Sequence, residues 1–110
     1  MSQQQPSKRI SEMRNLGPAC ERDLNLAGIY TEEQVKRLGV EETFIRMLIA
    51  RRKNDAKLSC CNAAYLYAIH GAIYDLDWRD VPESDKKRYK KLTAELRESG
   101  MQIRSGKRFE

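Results

Sequence analysis

The stretch LSCCNAAYLYAIHGAIY, residues 58–74, is a run of 17 residues without a formally charged side chain, in a chain of which 34% is charged. Such a run is either a membrane span or the interior of a fold. It is at the short limit for spanning, contains Ser59, Asn62, His70 and Gly71, and has no further apolar extension, so a buried helix is expected and no membrane association. At helical spacing Cys61, Tyr65, Ala68 and Ala72 form one stripe, and Leu66, Ile69, Ile73 and Leu76 form its neighbour. A helix apolar over so much of its circumference needs other helices around it, so this one is expected at the centre.

Upstream, Ile10, Met13 and Leu16 suggest a short first helix, ending at Asn15 to Gly17 where the chain reverses. Pro18 starts the next helix, since a proline at the first helical position gives up a donor that would be unpaired anyway. Glu21 and Asp23 suit the positive end of the helix dipole, Cys20, Leu24 and Ala27 share a face, and Gly28 is the stop. Thr31 followed by Gln34 is a capping box for a helix from about Glu32 to Leu38, ended by Gly39. Glu41 and Glu42 open a fourth helix carrying Phe44, Ile45, Leu48 and Ile49, with Arg51, Arg52 and Lys53 at its negative end and Asn54 and Asp55 closing it.

Downstream, Asp75 to Asp80 with Trp78 is a connection, and Pro82 and Glu83 begin a last helix with Tyr89, Leu92 and Leu96 on its apolar side, stopped at Gly100. Nowhere do four or more residues alternate apolar and polar between turn signals, so no strand is expected. The fold class is all-α, a compact five- to six-helix domain over residues 8–100 around the central apolar helix. Residues 1–7, polar and Gln-rich, read as a disordered lead-in, and 101–110 as a basic tail.

The 110 residues suffice for one domain of ordinary size and exclude most multidomain enzyme architectures. Three cysteines and no basic-then-apolar leader point to a reducing cytoplasm rather than a secreted disulfide scaffold. The net charge of +5 lies wholly in the last 26 residues, which hold 9 basic and 4 acidic residues against 12 and 12 before them. Lys86, Lys87, Arg88, Lys90 and Lys91 form the densest part of this excess. A localised basic stripe concentrates polyanions such as nucleic acid or an acidic protein surface, and it also fits a plain solvated helix face.

The order and spacing of several short features resemble the C-terminal domain of the TfoX/Sxy competence regulators, which also occurs as a stand-alone protein. These are Leu16-Gly17, a helix carrying Leu24, Gly28-Ile29, Thr31 as a cap and Gly39 before a further helix. Cys61 at the opening of the long helix, Leu66-Tyr67, Gly71-Ala72-Ile73 and Trp78 shortly before Pro82 complete the set. The match runs from about Ile10 to Leu96. The resemblance implies a small helical domain similar to helix-hairpin-helix and SAM-like modules, without enzymatic activity, in proteins that activate genes for DNA uptake. The full regulators carry an additional N-terminal domain that has no counterpart in this sequence.

In a helix-hairpin-helix reading, Met13 to Leu24 is a phosphate clamp, with Gly17 allowing close approach and Arg14 and Arg22 adding charge-assisted contacts. Pro18 removes one of the amides such a clamp uses, and a plain helix corner fits equally. Cys60 and Cys61 are about 100° apart on a helix and His70 lies nearly three turns away, so neither a metal site nor a Cys-His catalytic pair is expected. His70 is read as a helix residue bonded to solvent or a carbonyl. Trp78 is read as a cap on the core with its indole nitrogen on backbone. Asp75, Asp77 and Asp80 are solvated turn acids. With no phosphate-binding glycine loop, serine elbow or Cys-x-x-Cys, no cofactor is expected. Two partner classes remain open: DNA contacted through its backbone by Arg14, Gly17, Arg22, Lys86, Lys87, Arg88, Lys90 and Lys91, and an acidic protein or a second copy of the chain.

Overall fold

A computed structural model describes residues 8–53 and 62–98. Five helices follow one another: α1 (Pro18–Leu26), α2 (Glu32–Leu38), α3 (Val40–Lys53), α4 (Ala63–Tyr74) and α5 (Glu83–Glu98). Two 3-10 turns, Ile10–Glu12 and Trp78–Asp80, precede α1 and α5. No strand is present among the described residues, and the only β-type contact there is an isolated bridge between Arg9 and Thr31. The all-α class holds. Asn54, Asp55, Cys60, Cys61, Gly100 and the segments 1–7 and 101–110 lie outside the described residues.

The local signals act as their chemistry dictates. Thr31 Oγ1 accepts from the Gln34 amide at 3.3 Å while Gln34 Oε1 accepts from the Thr31 amide at 3.1 Å, closing the capping box at α2. Gly39 ends α2 with φ of 87°, where a Cβ would be strained. Asn62 caps α4, accepting from the Tyr65 amide at 3.2 Å. The first helix is shorter than expected, a three-residue 3-10 turn, because Met13 is already extended and Asn15 takes a left-handed φ of 70°. Its role is to bury Ile10, Met13 and Leu16, at 0%, 3% and 5% exposure, so the chain joins the core before α1 begins.

The centre is a pair of helices rather than one. α4 packs on α2, α3 and α5, and α3 packs on α1, α2 and α4. Phe44, Met47 and Leu48 of α3 meet Leu66 and Ile69 of α4 in the buried core, and the Phe44 and Tyr65 rings lie 5.9 Å apart. α4 itself turns Ala64 and Tyr74 outward. α5 closes the far side of α4 through Tyr89 and Thr93.

Asn15 joins the two ends of the fold. At the C-terminus of α4, Asp75 adopts the left-handed conformation, and the Asp75 and Leu76 amides both donate to the Gly71 carbonyl. The Leu76 and Ala68 carbonyls then accept from Asn15 Nδ2 at 2.9 and 3.4 Å. The absence of a side chain at Gly71 lets this amide in, since a Cβ there would collide with Asn15 Nδ2 and the Leu76 carbonyl.

Candidate functional site

The basic stripe of α5 divides into two sets with different surroundings. Lys87, Lys90 and Lys91 are exposed, and at spacings of three and four they share one helix face. They form no ion pair among the described residues. In α2 and α3, by contrast, Lys36, Arg37 and Arg46 each meet a glutamate four residues earlier. The unneutralised potential of α5 is therefore concentrated on those three lysines.

Lys86 and Arg88 belong to the fold instead. Lys86 Nζ donates to the Arg79 carbonyl at 3.2 Å, pairs with Glu83 at 3.6 Å and lies 5.9 Å from the centre of the Tyr67 ring. Arg88 donates to Asp85 at 2.6 Å, to Glu41 of α3 at 3.1 Å and to the Tyr89 hydroxyl at 3.3 Å. Its hydrogen bond with Asp85 leads the effects that hold its guanidinium charged beyond the usual range. Two of the five stripe cations thus carry internal partners.

Arg14, Gly17 and Arg22 sit on other elements. Arg14 is 3.7 Å from Asp75 just beyond α4, Gly17 is the extended N-cap of α1, and Arg22 is exposed on α1. In the first turn of α1, the Glu21 carboxylate accepts from the Ser11 amide at 3.3 Å and from Arg9 at 3.4 Å. The Ser11 amide is the leading cause of its lowered pKa. α1 packs on α3 while α5 packs on α4, so Arg22 and the α5 lysines occupy different helix pairs.

A pocket of 560 Å³ lies between α4, α5 and the start of α3, with Val40, Leu76 and Pro82 as apolar walls and His70, Tyr74 and Tyr89 as rings. His70 was expected on solvent or a carbonyl, but its Nδ1 lies 2.8 Å from the Tyr89 hydroxyl. Burial chiefly lowers the His70 pKa, with Asp85 opposing and Arg88 adding to the effect. Burial also raises the Tyr89 pKa to about 12. This pairing spans 19 residues and could not be read from sequence, whereas the apolar run and the uncommon His70 within it marked the place.

Trp78 departs from its expected capping role. It is 44% exposed, its indole forms no hydrogen bond among the described residues, and the Arg79 guanidinium lies 5.9 Å from its ring centre. Asp77 caps the 3-10 turn and grips Arg79 through both carboxylate oxygens at 2.9 and 3.0 Å, which holds its carboxyl far below the ordinary range. Among the described residues no group of three or more His, Cys, Asp or Glu side chains is arranged to hold a metal ion, and no helix is long and apolar enough to cross a membrane.

The family model described as the TfoX C-terminal domain matches residues 6–93. The chain belongs to this family. The crystal structure of an uncharacterised protein from Listeria monocytogenes, in a triclinic form, is similar to it at 34% identity and a TM-score of 0.69, covering 81% of this chain and 93% of that one. No curated protein matches it. The residues that carried the resemblance hold structural posts in this TfoX C-terminal domain: Gly28 and Gly39 take positive φ, Thr31 caps α2, Leu24 and Leu66 are fully buried, and Gly71 admits Asn15.

Proposed function

We propose that this TfoX C-terminal domain is a non-enzymatic regulatory binding module that docks on the backbone of nucleic acid, or on a nucleic-acid-associated protein, in transcription and competence regulation. The observation that carries the reading is the exposed Lys87, Lys90 and Lys91 face, with no acidic partner among the described residues. Three ammonium groups along one turn suit phosphates and offer no means of reading base edges, so binding is independent of sequence. Arg88 and Lys86 already have partners inside the fold, although the Arg88 side chain stays half exposed.

Three phosphate contacts give a slope of log affinity on log salt near −2.7, which is about a 40-fold loss between 50 and 200 mM salt. Fluorescence anisotropy with a labelled duplex measures it. Replacing Lys87 and Lys91 by glutamine leaves one contact and a slope near −0.9, about a fourfold loss over the same interval. No binding at low salt, or binding whose salt slope the double substitution leaves unchanged, rejects the reading.

One observation favours a second reading as a protein-interaction or homodimerisation domain. Leu26 and Ile49 are 48% and 37% exposed beside a 350 Å³ hollow shared by α1 and α3 and flanked by Arg46 and Lys53. An apolar face with a basic rim suits an acidic protein surface. Solution mass with and without duplex DNA separates the two readings.

A further inference from the structure

We infer that the pocket between α4 and α5 binds a small, planar, uncharged molecule carrying a hydrogen-bond acceptor beside a donor, of the aromatic carboxamide or nucleobase type. The argument starts from the proton on His70. Arg88 Nη2 can only donate, and it donates to the Tyr89 oxygen at 3.3 Å. We assign the proton of the Tyr89 hydroxyl to the contact with His70 Nδ1, 2.8 Å away, which makes Nδ1 an acceptor. On that assignment the neutral imidazole, favoured by the pKa that burial lowers, carries its proton on Nε2.

His70 is only 7% exposed and lines the pocket, yet no hydrogen bond to Nε2 is formed among the described residues. Open to the cavity, Nε2 is free to donate to an acceptor on a ligand. The rest of the wall selects the ligand further. Arg88 uses Glu41 Oε2 and Asp85 Oδ1, leaving the other oxygen of each carboxylate to accept from a ligand N–H. Two carboxylates against one guanidinium leave the charged rim at −1, which disfavours an anion. Tyr74, 61% exposed and with its ring 4.7 Å from the His70 ring, supplies a face for stacking. The volume of 560 Å³ lies within the range of small-molecule pockets.

The inference is independent of nucleic-acid docking, and so is its test. His70 is the only histidine of the chain, so its two imidazole ¹⁵N resonances are assigned without ambiguity. Nicotinamide and nicotinate are the probes, alike in shape and different in charge and donor. The expected result is a saturable shift with nicotinamide, larger at Nε2 than at Nδ1, with a dissociation constant on the order of 1 mM for so small a ligand. Nicotinate binds at least tenfold more weakly. Tyr74→Ala, at an exposed position, weakens nicotinamide binding about tenfold, and Tyr74→Phe, which keeps the ring, restores it. Equal or tighter binding of nicotinate, an unchanged affinity in Tyr74→Ala, or no saturable shift with nicotinamide in the tens of millimolar overturns the inference.

Discussion

Replacing Gly71 with alanine sets helix propensity against a close tertiary contact, and the two predict opposite signs. In an open helix the exchange stabilises by about 1 kcal/mol. In α4 the new Cβ would meet Asn15 Nδ2 and the Leu76 carbonyl, and the second of these is backbone that cannot swing aside. Overpacking of this kind costs roughly 1–3 kcal/mol. Expelling the Asn15 amide also forfeits its bonds to the Leu76 and Ala68 carbonyls, each worth roughly 0.5–1.5 kcal/mol. Taking central values and subtracting the propensity gain leaves a net loss of about 3 kcal/mol. At 4–8 °C per kcal/mol for a domain of this size, Tm falls by roughly 12–24 °C. Thermal unfolding followed by circular dichroism at 222 nm reads it. In an Asn15→Ala background the penalty shrinks by at least about 1 kcal/mol, because one of the two clashing groups is gone. A Gly71→Ala protein as stable as the parent, or more so, refutes the packing argument at the end of α4.

Asn15→Ala on its own lowers stability by about 2–3 kcal/mol in urea titration, since it loses two hydrogen bonds and places alanine at a φ of 70°. Thr31→Ala removes half of the capping box at α2 and costs about 1 kcal/mol, seen as a lower urea midpoint at unchanged m. Because the folded His70 pKa is depressed below the unfolded value near 6.5, the folded state binds fewer protons. Stability is therefore full above that pH, declines as pH falls through the folded pKa, and levels off below it; urea midpoints from pH 8 to 4 check this. Tyr89 has the opposite profile, its raised pKa making stability fall as pH climbs from about 10 toward 12. Tyr89→Phe deprives His70 Nδ1 of its hydrogen-bond partner, costs about 1–2 kcal/mol and lets the His70 ¹⁵N titration move.

Local chemistry was legible wherever the deciding contacts lie within a few residues. The α2 boundaries, the Thr31 and Gln34 box, the start of α1 at Pro18 and the turns at Gly28 and Gly39 depend on caps and φ angles that neighbours supply. The apolar run of α4 likewise announced burial, because no soluble fold leaves such a surface in water. The first helix was read as too long because Ile10, Met13 and Leu16 are spaced like a helical face but reach the core from a 3-10 turn and an extended link. Spacing reports which residues are buried, and in so short a segment it does not fix the backbone that buries them.

What the sequence by itself determined was the helical class, the placement of positive charge near the end of the chain and membership of the TfoX C-terminal family, since patterning and composition are properties of the order of residues. Only the tertiary structure decided which cations remain available and where a pocket forms. Arg88 is drawn to Glu41 across 47 residues, His70 meets Tyr89 across 19, and Asn15 reaches Leu76 across 61. Hydrogen bonds and ion pairs of that range depend on where packing brings two helices, and the hydrophobic pattern that drives the packing carries no record of which polar groups will come face to face.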